Sequence, residues 1–417
     1  MTPSREQSGG SAEDAPTVAD LVVVGAGIVG LAVAREVLVR RPGSRVVVLE
    51  REDTVGSHQT GHNSGVIHSG VYYTPGSLKA RLCVEGARLM YEYCDERGIA
   101  YERCGKLIVA VRPDELERLD EIERRGRLNG VQGLRRLDAA DIGEVEPEAR
   151  GIAALHCPST GIVDYRQVTE ELRKDVIERG GVVRTGVEAR RLERRGDRTV
   201  VEYDGGSCTA TMAITCAGLW SDRLAVASGA SPDPRIVPFR GGYLHVRTKG
   251  GQLLRGLVYP VPDPDLPFLG VHVTKHIDGE TVIGPTALLV GSRTAYRIWK
   301  LRIRDMLDIA TWPGVWRMAR VYWRTGITEM MMAARRRRFV RAAAVYVPRV
   351  AELGVDGPDI GGVRAQAVAR DGTLVDDFVI SETPGAMHVR NAPSPAATSS
   401  LALARELVDR LEAATAP

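Results

Sequence analysis

Three histidines lie close together in one short stretch of the chain, and their spacing is the first sign of chemistry. His58, His62 and His68 occur in a loop rich in glycine, serine and threonine that continues to Tyr72 and Tyr73. Histidine changes its charge near neutral pH, so it suits proton transfer. The small residues around it allow backbone and hydroxyl groups to pack against a flat ring. The loop is therefore a candidate catalytic segment, although a glycine-rich loop with surface histidines would have the same composition.

The elements that would position this loop come directly before it. An apolar strand runs into Gly25-x-Gly27-x-x-Gly30, an apolar helical pattern follows, and a second apolar strand ends at Glu50. This order is typical of a βαβ unit that binds a dinucleotide, with glycines at the tight turn and helix amides aimed at the pyrophosphate. A carboxylate at Glu50 would accept hydrogen bonds from ribose hydroxyls and repel a 2′-phosphate, which argues against NADP. The alternative is a glycine-rich turn without a ligand.

Size and composition limit the function classes. A chain of 417 residues exceeds the usual size of one core, so we expect two domains. Its net charge of +3 does not favour a nucleic-acid partner. The six cysteines show no CxxC pair and no ligand spacing, which favours a reduced, cytoplasmic setting without disulfides or a bound metal. Residues 1–17 predict a disordered leader rather than a signal peptide, and no apolar run is long enough to span a membrane.

A second close approach of backbone to a ligand is expected where the apolar run 210–216 enters Ala217-Gly218. Residues 238–289 are strand-like and rich in Gly and Pro, which indicates an antiparallel sheet. The predicted fold is α/β, with a Rossmann-like nucleotide domain built from discontinuous segments and an α+β substrate domain with a mainly antiparallel sheet. We assign 18–100, 151–225 and 355–417 to the first domain, and 101–150 and 226–354 to the second.

Taken together, these segments resemble the L-2-hydroxyglutarate dehydrogenase/oxidase family of FAD enzymes, within the wider D-amino-acid oxidase and glycerol-3-phosphate dehydrogenase superfamily. The resemblance extends from about Asp20 to Leu403. The shared segments are the 58–80 loop, Phe239-Arg240-Gly241, Tyr259-Pro-Val-Pro262, Phe268-Leu-Gly-Val-His272, Gly284-Pro285, Gly362-Val-Arg364 and Asn391-Ala-Pro-Ser-Pro-Ala-Ala-Thr398. The resemblance implies an FAD cofactor and oxidation of a 2-hydroxy acid to the 2-oxo acid.

Such a reaction moves a hydride to flavin N5 while the hydroxyl proton leaves to a base, for which histidine is suited. We favour His68, whose surroundings resemble a His-Gly-Gly segment of the glycerol-phosphate relatives. His272 and His388 are the rivals, and a structural role remains open for each of the three histidines.

The substrate carboxylate would be held by an arginine, whose planar guanidinium matches it. Arg364, followed by Asp371-Gly372, resembles the carboxylate-gripping arginine of amine-oxidising relatives. The alternative is a structural arginine paired with Asp376 or Asp377. The other residues predicted to contact substrate are Tyr72, Tyr73, Arg240, Tyr259 and His272.

The segment from Asn391 leads into a helix over residues 397–413, and the family places this turn at the flavin ring. Free amides at the helix start would stabilise the negative charge of a reduced flavin. We expect noncovalent FAD. The predicted cofactor contacts are Gly25, Gly27, Gly30, Glu50, Arg51, Asn63, Ser64, Gly65, Val187, Ala217, Gly218, Arg364, Pro393, Ser394, Ala396, Ala397 and Thr398.

The chain departs from the family pattern in its predicted substrate domain, at Gly242, at Thr286 and around Arg293. The helical segment 297–341 is also unusual, because it holds four of the five tryptophans and twelve Lys or Arg against three acids. Basic segments with tryptophan can lie on anionic membranes, which would place the protein against the inner face of a membrane and next to a quinone. The alternative is an active-site cover with solvated arginines.

Three functional hypotheses therefore stand. The first is FAD-dependent oxidation of a 2-hydroxy acid, with L-2-hydroxyglutarate as the default substrate and oxygen or a quinone as electron acceptor. The second is the same chemistry on a different hydroxy acid or an amino acid. The third is a flavin-bearing module that chiefly binds a membrane or a partner.

Overall fold

The structure is a computed structural model that describes residues 18–248, 251–263, 270–297 and 299–415. The predicted leader at 1–17 and Phe268 of the family segment lie outside the described residues. The strands are β1 Val18–Val24, β2 Val46–Leu49, β3 Val66–Ile67, β4 Tyr101–Glu102, β5 Lys106–Ala110, β6 Arg135–Asp138, β7 Ala153–Cys157, β8 Gly161–Val163, β9 Val182–Arg184, β10 Ala189–Arg195, β11 Arg198–Tyr203, β12 Gly206–Thr215, β13 Arg235–Val246, β14 Leu257–Pro260, β15 His272–Lys275, β16 Thr281–Gly284, β17 Leu288–Leu289, β18 Val355–Val368, β19 Val379–Thr383 and β20 Ala386–Asn391.

The helices alternate with these strands. They are α1 Ile28–Arg40, α2 Leu78–Arg97, α3 Leu116–Leu128, α4 Ala139–Val145, α5 Tyr165–Glu178, α6 Ser221–Ala227, α7 Ile303–Thr311, α8 Pro313–Ala334, α9 Arg336–Ala344, α10 Arg349–Leu353 and α11 Ala396–Thr415. Within the described ranges, no helix is both long and apolar enough to cross a bilayer.

An eight-stranded sheet carries the glycine-rich turn. Its order is β10-β11-β12-β1-β2-β9, with β20 beside β12 and β19 beside β20. The pairs β12–β1, β1–β2, β2–β9 and β12–β20 are parallel. Apolar side chains of α1, α2, α5 and α11 form one buried cluster against this sheet. Parallel strands covered by helices are the arrangement expected of a dinucleotide-binding domain.

A nine-stranded sheet forms the second layer of the molecule. Its order is β17-β13-β16-β15-β14-β5-β7-β6, with β18 beside β13, and only the β14–β5 pair is parallel. One face packs on α9 and α10 through Phe339, Tyr346 and Val350. The predicted combination of a parallel nucleotide sheet and a mainly antiparallel second sheet is confirmed.

The predicted domain limits stay a prediction, because both sheets draw on the same stretches. Residues 151–225 and 355–417 were assigned to the nucleotide domain, yet β7 and β18 from these ranges are strands of the nine-stranded sheet. The chain thus passes between the two sheets several times, and the cleft between them is where segments distant in sequence meet.

Helix α2 shows why the local pattern folds as it does. The Ser77 hydroxyl accepts a hydrogen bond from the Ala80 amide at the start of the helix, and Gly98 ends it in the left-handed conformation at φ +64°. A serine cap and a glycine terminator satisfy amide and carbonyl groups that the helix leaves free. The helix places its N-terminus next to the histidine-containing loop.

Candidate active site

One cavity of about 610 Å³ extends along the ends of the eight-stranded sheet to the nine-stranded sheet. Most of the residues predicted to contact the cofactor line it. They are Gly25, Gly27, Glu50, Arg51, Asn63, Ser64, Val187, Ala217, Gly218, Arg364, Ser394, Ala396, Ala397 and Thr398, and His68 lies among them. The cavity therefore joins the glycine-rich turn, the histidine-containing loop and the C-terminal turn in one site.

The glycine-rich turn is so closely packed that side chains do not fit. Gly25 has φ +105°, and a Cβ atom there would lie 2.5 Å from the carbonyl oxygen of Cys216. A Cβ atom on Gly30 would lie 1.9 Å from the carbonyl oxygen of Gly25. Gly30 does not line the cavity; it allows α1 to pack against the turn. Gly65, at φ +68°, likewise packs on the carbonyl oxygen of Val163.

Glu50 is held in place by the backbone on both sides of it. One carboxylate oxygen accepts a hydrogen bond from the Ala26 amide at 2.8 Å, and the other from the Glu52 amide at 2.9 Å. The residue is 8% exposed and its exposed edge lines the cavity. A carboxylate fixed in this way next to the first helix is suited to accept hydrogen bonds from ribose hydroxyls.

The start of α1 is covered by the histidine-containing loop. The Thr60 hydroxyl accepts a hydrogen bond from the Ile28 amide at 3.2 Å, and both Gly27 and Thr60 line the cavity. Nearby, the Arg51 guanidinium lies 4.1 Å from the centre of the Trp220 ring, and both side chains line the cavity. Thr60 and Trp220 were not predicted as site residues.

His68 is tied to the helix that follows the C-terminal turn. Its backbone amide donates to the Thr398 hydroxyl at 3.1 Å, and that hydroxyl also lies 3.0 Å from the Tyr165 hydroxyl. Burial lowers the pKa of His68 to about 3, and the charges of Lys106, His272 and Lys79 add to this effect. The imidazole is therefore neutral near pH 7 and able to accept a proton.

Arg364 enters the same cavity from the nine-stranded sheet. It lies on β18, opposite Phe239 of β13, and it lines the cavity together with Tyr243. Burial lowers the pKa of Arg364, and the nearby Tyr243 and Asp376 counteract this. Burial raises the pKa of Tyr243 to about 12, so its hydroxyl stays protonated. The cavity thus is lined by a partly buried cation, a hydroxyl donor and the neutral imidazole of His68.

Several predicted substrate contacts lie behind the cavity wall rather than on it. The His272 ring stacks on the Tyr259 ring with centroids 3.9 Å apart, and its Nδ1 atom lies 3.1 Å from the Gly270 carbonyl oxygen. Tyr72 lies against the buried Lys106, whose Nζ atom is 4.4 Å from the ring centre. The Tyr73 ring contacts the ammonium group of Lys79 at 4.9 Å.

Two predicted site residues are placed elsewhere. Arg240 is 2% exposed, and its guanidinium donates to the Tyr296 carbonyl oxygen at 3.2 Å. His388 is fully buried between two hydroxyls, with Thr215 3.0 Å from Nδ1 and Thr383 2.9 Å from Nε2. Neither residue lines the cavity. Pro393 is also not among the lining residues, whereas Asn391, Ala392 and Pro395 of the same turn are.

The residues present fit an FAD molecule. The glycine turn brings bare backbone to the cavity at Gly25 and Gly27, the Glu50 carboxylate lines the cavity nearby, and the cavity continues to a turn at the start of α11. A dinucleotide needs such an elongated site with backbone amides at its phosphates.

Comparisons with known proteins agree with this architecture. Residues 20–410 match the family model described as FAD dependent oxidoreductase. The chain is 45% identical to mitochondrial L-2-hydroxyglutarate dehydrogenase of Homo sapiens over 426 residues, covering 98% of this chain and 92% of that protein. It is 46% identical to the Bos taurus protein of the same name, covering 94% and 88% respectively.

Solved structures with the same fold are more distant in sequence. L-alpha-glycerophosphate oxidase from Mycoplasma pneumoniae, with FAD bound, superposes with a TM-score of 0.77 at 22% identity and 95% coverage of both chains. L-amino acid deaminase from Proteus vulgaris gives a TM-score of 0.71 at 18% identity, covering 97% and 96%. At these identities the likeness is one of fold.

Proposed function

Because this chain belongs to the FAD dependent oxidoreductase family, and within it to the L-2-hydroxyglutarate dehydrogenases, we propose that it oxidises L-2-hydroxyglutarate to 2-oxoglutarate. The observation that carries the proposal is the convergence of His68 and Arg364 on the cavity that also contains Glu50 and the glycine turn. When bound, FAD supplies the two-electron acceptor that removes the hydride from the substrate carbon.

Arg364 is the proposed anchor of the carboxylate next to the carbinol carbon. A guanidinium on a strand of the sheet offers two parallel N–H groups to a carboxylate and fixes the position of the adjacent carbon. Tyr243, which stays protonated, lies beside Arg364 and is able to donate a further hydrogen bond to the same group.

His68 is the proposed base for the hydroxyl proton. Its neutral imidazole faces the cavity, while its backbone is fixed by the Thr398 hydroxyl. As hydride leaves the carbon, the hydroxyl becomes strongly acidic, so even a base of low pKa can accept the proton. We assign this role to His68 and not to His388, whose two ring nitrogens already have hydroxyl partners.

The test is anaerobic mixing of the FAD-loaded protein with a panel of acids. We expect L-2-hydroxyglutarate to bleach the yellow flavin band, and its D enantiomer and L-glutamate not to do so. Bleaching by L-glutamate alone would instead support the amino-acid hypothesis. Absence of bleaching by every hydroxy acid and amino acid would remove the proposed activity.

The segment 297–341 supports a peripheral membrane contact as a further part of the proposal. Helix α8 has a kink at Tyr322, and Trp323, Ile327 and Met330 recur at helical spacing after it. These three residues are 55%, 41% and 53% exposed, and Trp316 before the kink is 59% exposed. Exposed Arg320 and Arg324 lie between them in sequence. An apolar stripe bordered by arginines suits the boundary between anionic headgroups and acyl chains.

Such a contact would bring the cavity close to a membrane quinone, so we propose a quinone as electron acceptor and a location at the inner, cytoplasmic face. The test is co-sedimentation with vesicles. We expect binding to vesicles that contain anionic lipid, and weaker binding for the double variant Trp316→Ser, Trp323→Ser. Equal turnover with oxygen and with a soluble quinone would favour oxygen as the acceptor.

A further inference from the structure

One face of the nine-stranded sheet carries a continuous row of polar and aromatic side chains. Strand pairing places Tyr259 of β14 opposite Ile108 of β5, and His272 of β15 opposite Gly284 of β16. The position of Gly284 faces the Tyr243 ring, which lies 2.4 Å from where a Cβ atom would be. Tyr259, His272 and Tyr243 therefore lie side by side across the sheet.

Each end of this row carries a long cationic side chain. Lys106 precedes Ile108 by two residues on β5 and so lies on the same face. Its Nζ atom is 5.2 Å from the Tyr259 ring centre and 4.4 Å from the Tyr72 ring centre. At the other end, β18 contributes Arg364 next to Tyr243. The cavity reaches Arg364, Tyr243 and His68, and the row continues past it to Lys106.

Lys106 differs from the other buried lysines in having no acidic partner in the part of the chain that the structure describes. It is 1% exposed, and its ammonium nitrogen has no hydrogen-bond partner among the described residues. Lys79 and Lys275, which are 7% and 5% exposed, are paired with Asp376 and Glu102, each at 2.7 Å. A buried charge without a partner costs several kcal/mol, so burial lowers the pKa of Lys106. An anion bound beside Lys106 would favour its charged form again.

The two cations approach His272 from opposite sides. Counted from β15, which carries His272, the strand of Lys106 is the second on one side, about 10 Å away at the usual strand spacing. The strand of Arg364 is the third on the other side, about 14 Å away. Burial lowers the pKa of His272 to about 3, and the charges of both Lys106 and Arg364 contribute to this. The His272 ring stacks on the Tyr259 ring, and the centre of the Tyr259 ring is 5.2 Å from Lys106 Nζ, so Tyr259 lies between this histidine and Lys106.

We propose that Lys106 binds the distal carboxylate of a dicarboxylate substrate, while Arg364 holds the carboxylate next to the carbinol. This inference rests on the proposed function and names its specificity determinant. The Tyr72 and Tyr259 rings hold the ammonium by cation–π contact, beyond the part of the cavity that Arg364, Tyr243 and His68 line. A monocarboxylate of the same length would leave the Lys106 charge unpaired, and so would bind less well.

The decisive variant is Lys106→Met in the FAD-loaded protein, assayed with L-2-hydroxyglutarate and with L-2-hydroxypentanoate, which lacks only the distal carboxylate. We expect kcat/KM for the dicarboxylate to fall on the order of 100-fold, mainly through KM. The value for the monocarboxylate should stay nearly unchanged. Lys275→Met is the matched control, because it removes a buried but paired lysine of the same sheet and should preserve the preference for the dicarboxylate.

A binding measurement separates this inference from the proposed function. Glutarate and pentanoate lack the hydroxyl and cannot react, so their affinities follow from changes in the flavin spectrum of the wild type and the variant. Preferential loss of glutarate binding in Lys106→Met supports the assignment, whether or not L-2-hydroxyglutarate is the substrate.

Equal losses for dicarboxylate and monocarboxylate would overturn it, since Lys106 would then act only by positioning His68. Should the methionine variant fail to fold, Lys106→Gln removes the charge at similar length and is judged by the same comparison.

Discussion

The two large sheets of this molecule present their chemistry in different ways. The eight-stranded sheet positions backbone groups, because Gly25, Gly30 and the Glu50 carboxylate leave little space for side chains at the turn. The nine-stranded sheet positions side chains, because Lys106, Tyr243 and Arg364 come from strands far apart in sequence. A cofactor with a constant shape suits the first arrangement, whereas substrate choice can change in the second by single substitutions.

The largest effect is expected from a substitution in the glycine turn of the eight-stranded sheet. Gly30→Ala would place a Cβ atom 1.9 Å from the Gly25 carbonyl oxygen, so the turn cannot close on the pyrophosphate. We expect purified protein without bound FAD, measured by the flavin absorbance relative to protein. Gly143→Ala on α4, where a Cβ atom meets nothing within 4 Å, is the control and should retain the cofactor. Normal flavin content in Gly30→Ala would contradict the close packing.

A substitution on the nine-stranded sheet should remove catalysis and leave the cofactor bound. Arg364→Met deletes the proposed carboxylate anchor, and we expect kcat/KM to fall about 100- to 1,000-fold. The flavin-to-protein ratio is measured on the same sample and should stay close to that of the wild type. Loss of flavin along with activity would mean that Arg364 belongs to the cofactor site instead.

Lowering the pH should destabilise the folded protein through His272, the buried histidine of the nine-stranded sheet. Unfolded His272 has a pKa near 6.5 and the folded residue a pKa of about 3, so its contribution to stability is lost as pH falls from 6.5 toward 3. Between pH 7 and pH 5, the protein should lose about 2 kcal/mol of its free energy of unfolding through His272. Denaturant unfolding at pH 7 and pH 5 should show a smaller difference for His272→Gln than for the wild type. An unchanged difference would rule out a neutral, buried His272.

The smallest effect is expected at the cofactor carboxylate. Glu50→Gln keeps the shape but gives one of the two backbone amides, at Ala26 or Glu52, an NH₂ group in place of an acceptor. We expect the dissociation constant for FAD to rise about tenfold, measured by titration of the apoprotein. Turnover at saturating FAD should change little, because Glu50 has no role in the proposed transfer of the hydride or the proton. A large loss of turnover would argue against that separation.

The same contrast explains how much could be predicted from the sequence. Gly25, Gly27 and Glu50 are predictable because the turn and its acid lie within one βαβ unit, where spacing alone fixes geometry. Lys106 and Tyr243 were not predicted, because their place near the site depends on the register of five adjoining strands. Arg364 and His68 were named through family resemblance, and periodicity alone would not have separated them from Arg240 or His388.

Helix α11 has a consequence for how the molecule is made. Its side chains Leu403, Leu407 and Leu411 complete the apolar cluster shared with α1 and α2, and Thr398 at its start holds the His68 amide. The entire nine-stranded sheet is synthesised between α2 and α11. During translation the nucleotide half must therefore wait, with an apolar groove exposed to chaperones, until the segment that forms α11 has been synthesised.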